Sequence, residues 1–136
     1  MRIATFLWKK WGNVWKITKN IVYLQKNSGM TNKNRMILNQ IKAVARETAP
    51  EGSLVILFGS RARGEAKKGS DWDILIVLPK ERLMQSDYDD VSYPLVELGW
   101  KLNEQINPIM YTKKECESYR ITPFYENVLR DGIDMV

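Results

Sequence analysis

Between Leu54 and Leu78 two apolar runs are separated by a short polar interruption, and this pattern restricts the fold more than any other part of the chain. The first run, Leu54 to Phe58, ends at Gly59-Ser60; the second follows Asp71-Trp72-Asp73 and continues to Leu78. Short runs of aliphatic and β-branched residues bounded by Gly, Ser and Asp read as buried strands. Side chains alternate across a strand, so Asp71 and Asp73 project from one face and Trp72 from the other. Two adjacent carboxylates repel each other unless a cation lies between them. Their hard oxygens suit Mg²⁺ or Mn²⁺, which take phosphate oxygens as further ligands. Gly59 lets the backbone approach a ligand closely, and Ser60 opens a helix whose first N–H groups point at an anion. The pattern therefore suits a metal-bound triphosphate.

The flanking segments supply layers for such a sheet. Ile37, Ile41, Val44 and Ala45 recur at helical spacing after Thr31 and Asn32, and Pro50-Glu51-Gly52 ends that helix before the first strand. After the second strand, expected over Asp73 to Leu78, Pro79 opens a polar loop. Val91, Leu95, Leu98 and Leu102 then mark a helix leading to a third strand, Ile106 to Tyr111. Pro108 in that strand argues for an edge position or a bulge. Thr112-Lys113-Lys114-Glu115 is a capping-box pattern, and a last short helix begins at Thr122-Pro123 and ends at Gly132. Alternating helices and strands predict an α/β (α+β) domain, a small mixed β-sheet flanked by helices, with the Gly-Ser turn at the edge of the sheet.

Taken singly, an Asp-x-Asp at a strand start marks a solvated strand end and a Gly-Ser marks a turn. Together, Gly59-Ser60, Arg61-Ala62-Arg63-Gly64 and Ser70-Asp71-Trp72-Asp73 resemble the signature of the minimal nucleotidyltransferases of the DNA polymerase β-like superfamily, over about residues 31 to 112. The resemblance implies the polymerase β-like nucleotidyltransferase fold and metal-dependent attack on the α-phosphate of a nucleoside triphosphate, with release of pyrophosphate. It implies that Asp71 and Asp73 hold the metal and that Gly59, Ser60 and Ser70 contact the nucleotide. Arg61 and Arg63 are further candidates for the triphosphate, against the alternative that they pair with Glu65 or pack their stems on the sheet. In the family a third carboxylate on a later strand joins the pair, helping to bind metal and taking the proton of the attacking hydroxyl. The matching strand here reads Gln105-Ile106-Asn107-Pro108, and Asn107 stands near that place. An amide coordinates weakly and cannot act as a base. Glu104, just upstream, is the alternative donor.

Charge is divided unevenly. Residues 1–29 carry Arg2, Lys9, Lys10, Lys16, Lys19 and Lys26 and no acid, which leaves fifteen basic and sixteen acidic residues for the rest. The domain itself lacks the concentrated basic surface of a general nucleic-acid binder. We read residues 1–29, with Trp8, Trp11 and Trp15, as a leader without function, Met30 as the working start, and residues 30–136 as the nucleotidyltransferase domain. The other reading of the leader is an amphipathic helix on an anionic membrane surface, a contact we do not expect. No stretch approaches the roughly 20 apolar residues that span a bilayer. Cys116 is the single cysteine, so an internal disulfide is impossible and a cytoplasmic setting is expected. Histidine is absent, which excludes Ser-His and Cys-His nucleophilic sites and His-ligated zinc.

The expected substrate is ATP or another nucleoside triphosphate, with AMP the group transferred. Small modules of this family often pair with a small helical protein in toxin–antitoxin systems, so the resemblance implies such a partner as acceptor, or self-association. Trp100, Tyr111, Tyr119, Phe124 and Tyr125 offer an aromatic docking face, or equally the packing of a core. Two other functions stay open at this level. One is a nucleotide-binding or antitoxin module with little or no turnover, because of Asn107. The other is a nucleotidyltransferase acting on a small molecule such as an antibiotic.

Overall fold

A computed structural model describes residues 31–118 and 122–136. The leader at 1–29 with its three tryptophans, the start at Met30, and Tyr119 lie outside the described residues. Helix α1 (Asn32–Thr48) is capped by Thr31, whose hydroxyl accepts from Asn34 N at 3.2 Å. It stops at Ala49, where the following Pro50 disfavours helical backbone. Its inward stripe is Ile37, Leu38, Ile41 and Ala45. Then follow β1 (Leu54–Phe58), the single-turn α2 (Ser60–Arg63) and β2 (Trp72–Leu78).

The helix expected around Val91 to Leu102 starts earlier than its apolar spacing indicates. It runs as α3 (Gln85–Asp87), a π-helical turn (Tyr88–Ser92) and α4 (Tyr93–Leu102), with helical backbone at the junctions. The wide turn has a local cause. Pro94 has no N–H to donate back to residue 90, and the preceding Tyr93 N–H reaches Tyr88 O. Strand β3 (Ile106–Thr112), α5 (Lys113–Ser118), α6 (Pro123–Asp131) and β4 (Ile133–Asp134) complete the fold. The capping box forms as expected: Thr112 Oγ1 accepts from Glu115 N at 3.1 Å, and Glu115 Oε1 accepts from Thr112 N at 3.2 Å.

The sheet order is β3-β2-β1-β4. It is mixed: β1 pairs antiparallel with β2 and with β4, while β2 and β3 are parallel. β3 is an edge strand, which accommodates Pro108. The Gly59-Ser60 turn, expected at the edge of the sheet, instead follows the interior strand β1, so the site opens at the strand ends. β4 was not anticipated; its two residues, opposite Leu57 and Ile56, are too few to show a period.

Alternation along the strands feeds two cores. Val55, Leu57, Trp72, Ile74, Ile76 and Leu78 pack against α1 and α4, whereas Leu54, Ile56, Leu75 and Val77 meet Cys116 of α5 and Val128 of α6. Ile37, Ile41, Ile74, Ile76 and Leu95 are all fully buried. Each such side chain stabilises the fold by about 1.5–3 kcal/mol before entropy is counted. Phe124 and Tyr125 lie partly buried on the second core, as does Tyr111, while Trp100 is exposed and stacks edge-on with Tyr93. The four aromatics of this set that the structure describes thus do not form one face. Among the described residues no helix is long and apolar enough to cross a membrane.

Burial has a chemical consequence at Cys116, whose thiol is pushed up to about 12 by desolvation, with Glu115 adding in the same direction. Only the thiolate reacts readily. We expect a disulfide reagent at neutral pH to modify Cys116 only after unfolding. Equal rates in buffer and in denaturant would show that the second core is open.

Candidate active site

The site is assembled where β1 ends and β2 and β3 begin. In the antiparallel register Phe58 faces Asp73, so the chain leaving β1 at Gly59 passes directly beside the Asp73 carboxylate. Gly59 has φ 76° and ψ −159°, a region essentially restricted to glycine, and a Cβ there would lie 2.6 Å from Asp73 Oδ2. Glycine is thus required twice, by the backbone and by the carboxylate. From this turn α2 starts at Ser60. Ala62 N and Arg63 N both donate to Gly59 O at 3.1 Å, which closes the single turn of α2 beside Asp73.

The parallel register of β2 and β3 puts Asn107 opposite Asp73. Its Nδ2 donates to Asp71 Oδ2 at 3.0 Å and to Asp73 Oδ1 at 3.4 Å. Both carboxylates therefore converge on the Asn107 amide, which stands beside them. Gln105, just before β3 and two residues ahead of Asn107, donates from Nε2 to Asn107 Oδ1 at 2.8 Å. The sequence reading missed Gln105, although its alternation with Asn107 was the available signal. Glu104 takes a different part. It lies in the turn after α4, its N–H bound to Gly99 O at 2.9 Å, and among the described residues it does not gather with the two aspartates into a group of three metal-ligating side chains.

The remaining candidates organise the segment between the strands. Ser70 Oγ accepts from Lys67 N at 2.8 Å and Ser70 N donates to Lys67 O at 3.0 Å, closing the turn that leads to Asp71. Arg61 is buried, donates from Nη2 to Ser70 O at 2.9 Å, and lies over the Trp72 ring. Arg63 pairs with Glu65 at 3.0 Å and approaches Asp131 of α6 at 3.7 Å. The Arg-Ala-Arg run thus fastens the Gly-Ser turn to its surroundings on two sides.

The donor set fits a divalent cation. Two carboxylates whose oxygens reach a common point are hard ligands, and Mg²⁺ is usually held by one or two carboxylates with phosphates and water completing its shell. Among the described residues no group of three His, Cys, Asp or Glu gathers. Asp71 and Asp73 are then the anionic ligands on offer, with an amide where a third would stand.

A mixed sheet carrying a Gly-Ser turn beside an Asp-x-Asp strand is the arrangement expected of a nucleotidyltransferase. The nucleotidyltransferase domain family matches residues 38–133, and the chain belongs to that family of transferases. Similar solved structures include a mutant of the toxin–antitoxin MntA-HpeT, at 18% identity and TM-score 0.51, covering 73% of this chain and 72% of that one. Another is a toxin–antitoxin with AMP-PNP, at 19% identity and TM-score 0.48, covering 78% of this chain and 73% of that one. These likenesses are of fold. No curated protein matches the chain.

Proposed function

We propose that this nucleotidyltransferase is metal-dependent and moves AMP from ATP to a protein acceptor, a partner of the toxin–antitoxin kind. The observation that carries the reading is the convergence of Asp71 and Asp73 on Asn107 Nδ2, beside a glycine turn with no room for a Cβ. Asp71 and Asp73 hold Mg²⁺ or Mn²⁺, which when bound neutralises charge on the phosphate oxygens and favours attack at phosphorus. The backbone at Gly59 and Ser60 takes the phosphates, and the turn closed by Ser70 keeps Asp71 at the mouth of the site. Such chemistry depends on positioning and charge stabilisation more than on covalent participation by the protein. With an amide at position 107, proton removal from the attacking hydroxyl falls to solvent or to a group of the acceptor. The toxin–antitoxin likeness supports a protein as acceptor. The test is ATP labelled at the α-phosphate, incubated with the protein and a lysate of its host: label is expected on a protein. Label on a small molecule would replace the acceptor, and label nowhere would leave a nucleotide-binding module.

The leader is proposed to take no part. A chain beginning at Met30 is expected to match the full chain in melting temperature and nucleotide affinity. Salt-sensitive sedimentation of only the full chain with anionic liposomes would instead give the six basic residues a membrane role.

A further inference from the structure

We propose that Arg61 is a positioning residue for the Asp71 carboxylate, not a ligand of the nucleotide phosphates. The inference rests on Asp71 and Asp73 being the metal-holding pair. Arg61 is 7% exposed, so little of it is available to a ligand arriving from solvent. Its guanidinium carbon lies 4.4 Å from the centre of the Trp72 ring, and the Trp72 side chain belongs to the core on the α1 and α4 side of the sheet. Trp72 sits between Asp71 and Asp73 in sequence and therefore points away from their face. The charge of Arg61 is thus committed behind the strand that carries the acids, where an aromatic face holds it.

From that position Arg61 acts on the backbone. Nη2 donates to Ser70 O at 2.9 Å, at the peptide immediately before Asp71. On the other side of Asp71, Trp72 N donates to Gln105 O at 2.8 Å. Asp71 precedes β2 and has exposed Lys67, Lys68 and Gly69 upstream, yet both of its flanking peptides are pinned. Ordering a loop residue costs conformational entropy, and a residue ordered beforehand does not pay that cost when metal binds. Removing groups that orient a metal ligand weakens metal affinity by about 10- to 100-fold.

The test uses Mn²⁺ alone on the full chain, without nucleotide, and counts free ion by electron paramagnetic resonance. Arg61→Met is expected to weaken Mn²⁺ binding by about tenfold or more while unfolding remains cooperative. A phosphate ligand behaves otherwise: unchanged Mn²⁺ affinity, with or without loss of nucleotide affinity, overturns the proposal. If Arg61→Met does not fold, Arg61→Lys keeps a cation over Trp72 but not the planar fork, and it too must lose Mn²⁺ affinity. Asp71→Asn is the control. Mn²⁺ binding by Asp71→Asn equal to wild type would overturn the metal reading itself, and this proposal with it, whatever the Arg61 variants do.

Discussion

Asn107→Asp is expected to raise nucleotidyl transfer by about 10²- to 10⁴-fold, the range for a positioned general base. The register of β2 and β3 places residue 107 opposite Asp73, and the Asn107 amide already lies within hydrogen-bond distance of both aspartates. A carboxylate of the same length there would add a hard ligand and a proton acceptor without a change of backbone. Gln105, now donating to the Asn107 oxygen, would donate to that carboxylate and hold it. The measurement is the initial rate of pyrophosphate release at saturating Mg²⁺ for both proteins. An unchanged rate would mean that the base comes from the acceptor or from elsewhere in the chain. Glu104→Gln is then the next variant, although among the described residues Glu104 does not gather with the two aspartates.

The second large effect concerns nucleotide binding. Asp71→Asn combined with Asp73→Asn is expected to abolish metal-dependent binding of ATP, and a chelator should do the same to the wild type. Without a cation the two acids meet the triphosphate as like charges, which repel it. The fold should tolerate the change. Asp71 is exposed, Asp73 is half-buried at the strand end, and neither belongs to either core. Substitutions at such places usually alter stability by no more than about 0.5 kcal/mol. Calorimetry with and without chelator, alongside thermal unfolding, separates the outcomes. Equal affinity in both conditions would remove the acids from the metal, and loss of cooperative unfolding would give them a structural role.

The sequence by itself determined the strands β1 and β2, the first and last helices, the capping box at Thr112 and the pairing of Asp71 with Asp73. Each of these follows from local rules: alternation along a strand, 3.6-residue spacing along a helix, and side chains that cap the backbone within three residues. It also placed Asn107 near the missing acid, through resemblance. Tertiary structure decided what depends on contacts distant in sequence. β4 exists because two residues find the open side of β1, and no period can announce so short a strand. The early start of the helix before β3 is by contrast a local matter that apolar spacing does not record: Asp87 Oδ2 accepts from Met84 N at 2.7 Å and caps the helix at Gln85. The two arginines look alike in the sequence. Arg61 lies over Trp72 and holds Ser70, whereas Arg63 meets Glu65 and Asp131. Their separation was fixed only when α2 settled between β2 and α6, since a side chain's partners depend on which elements pack around it.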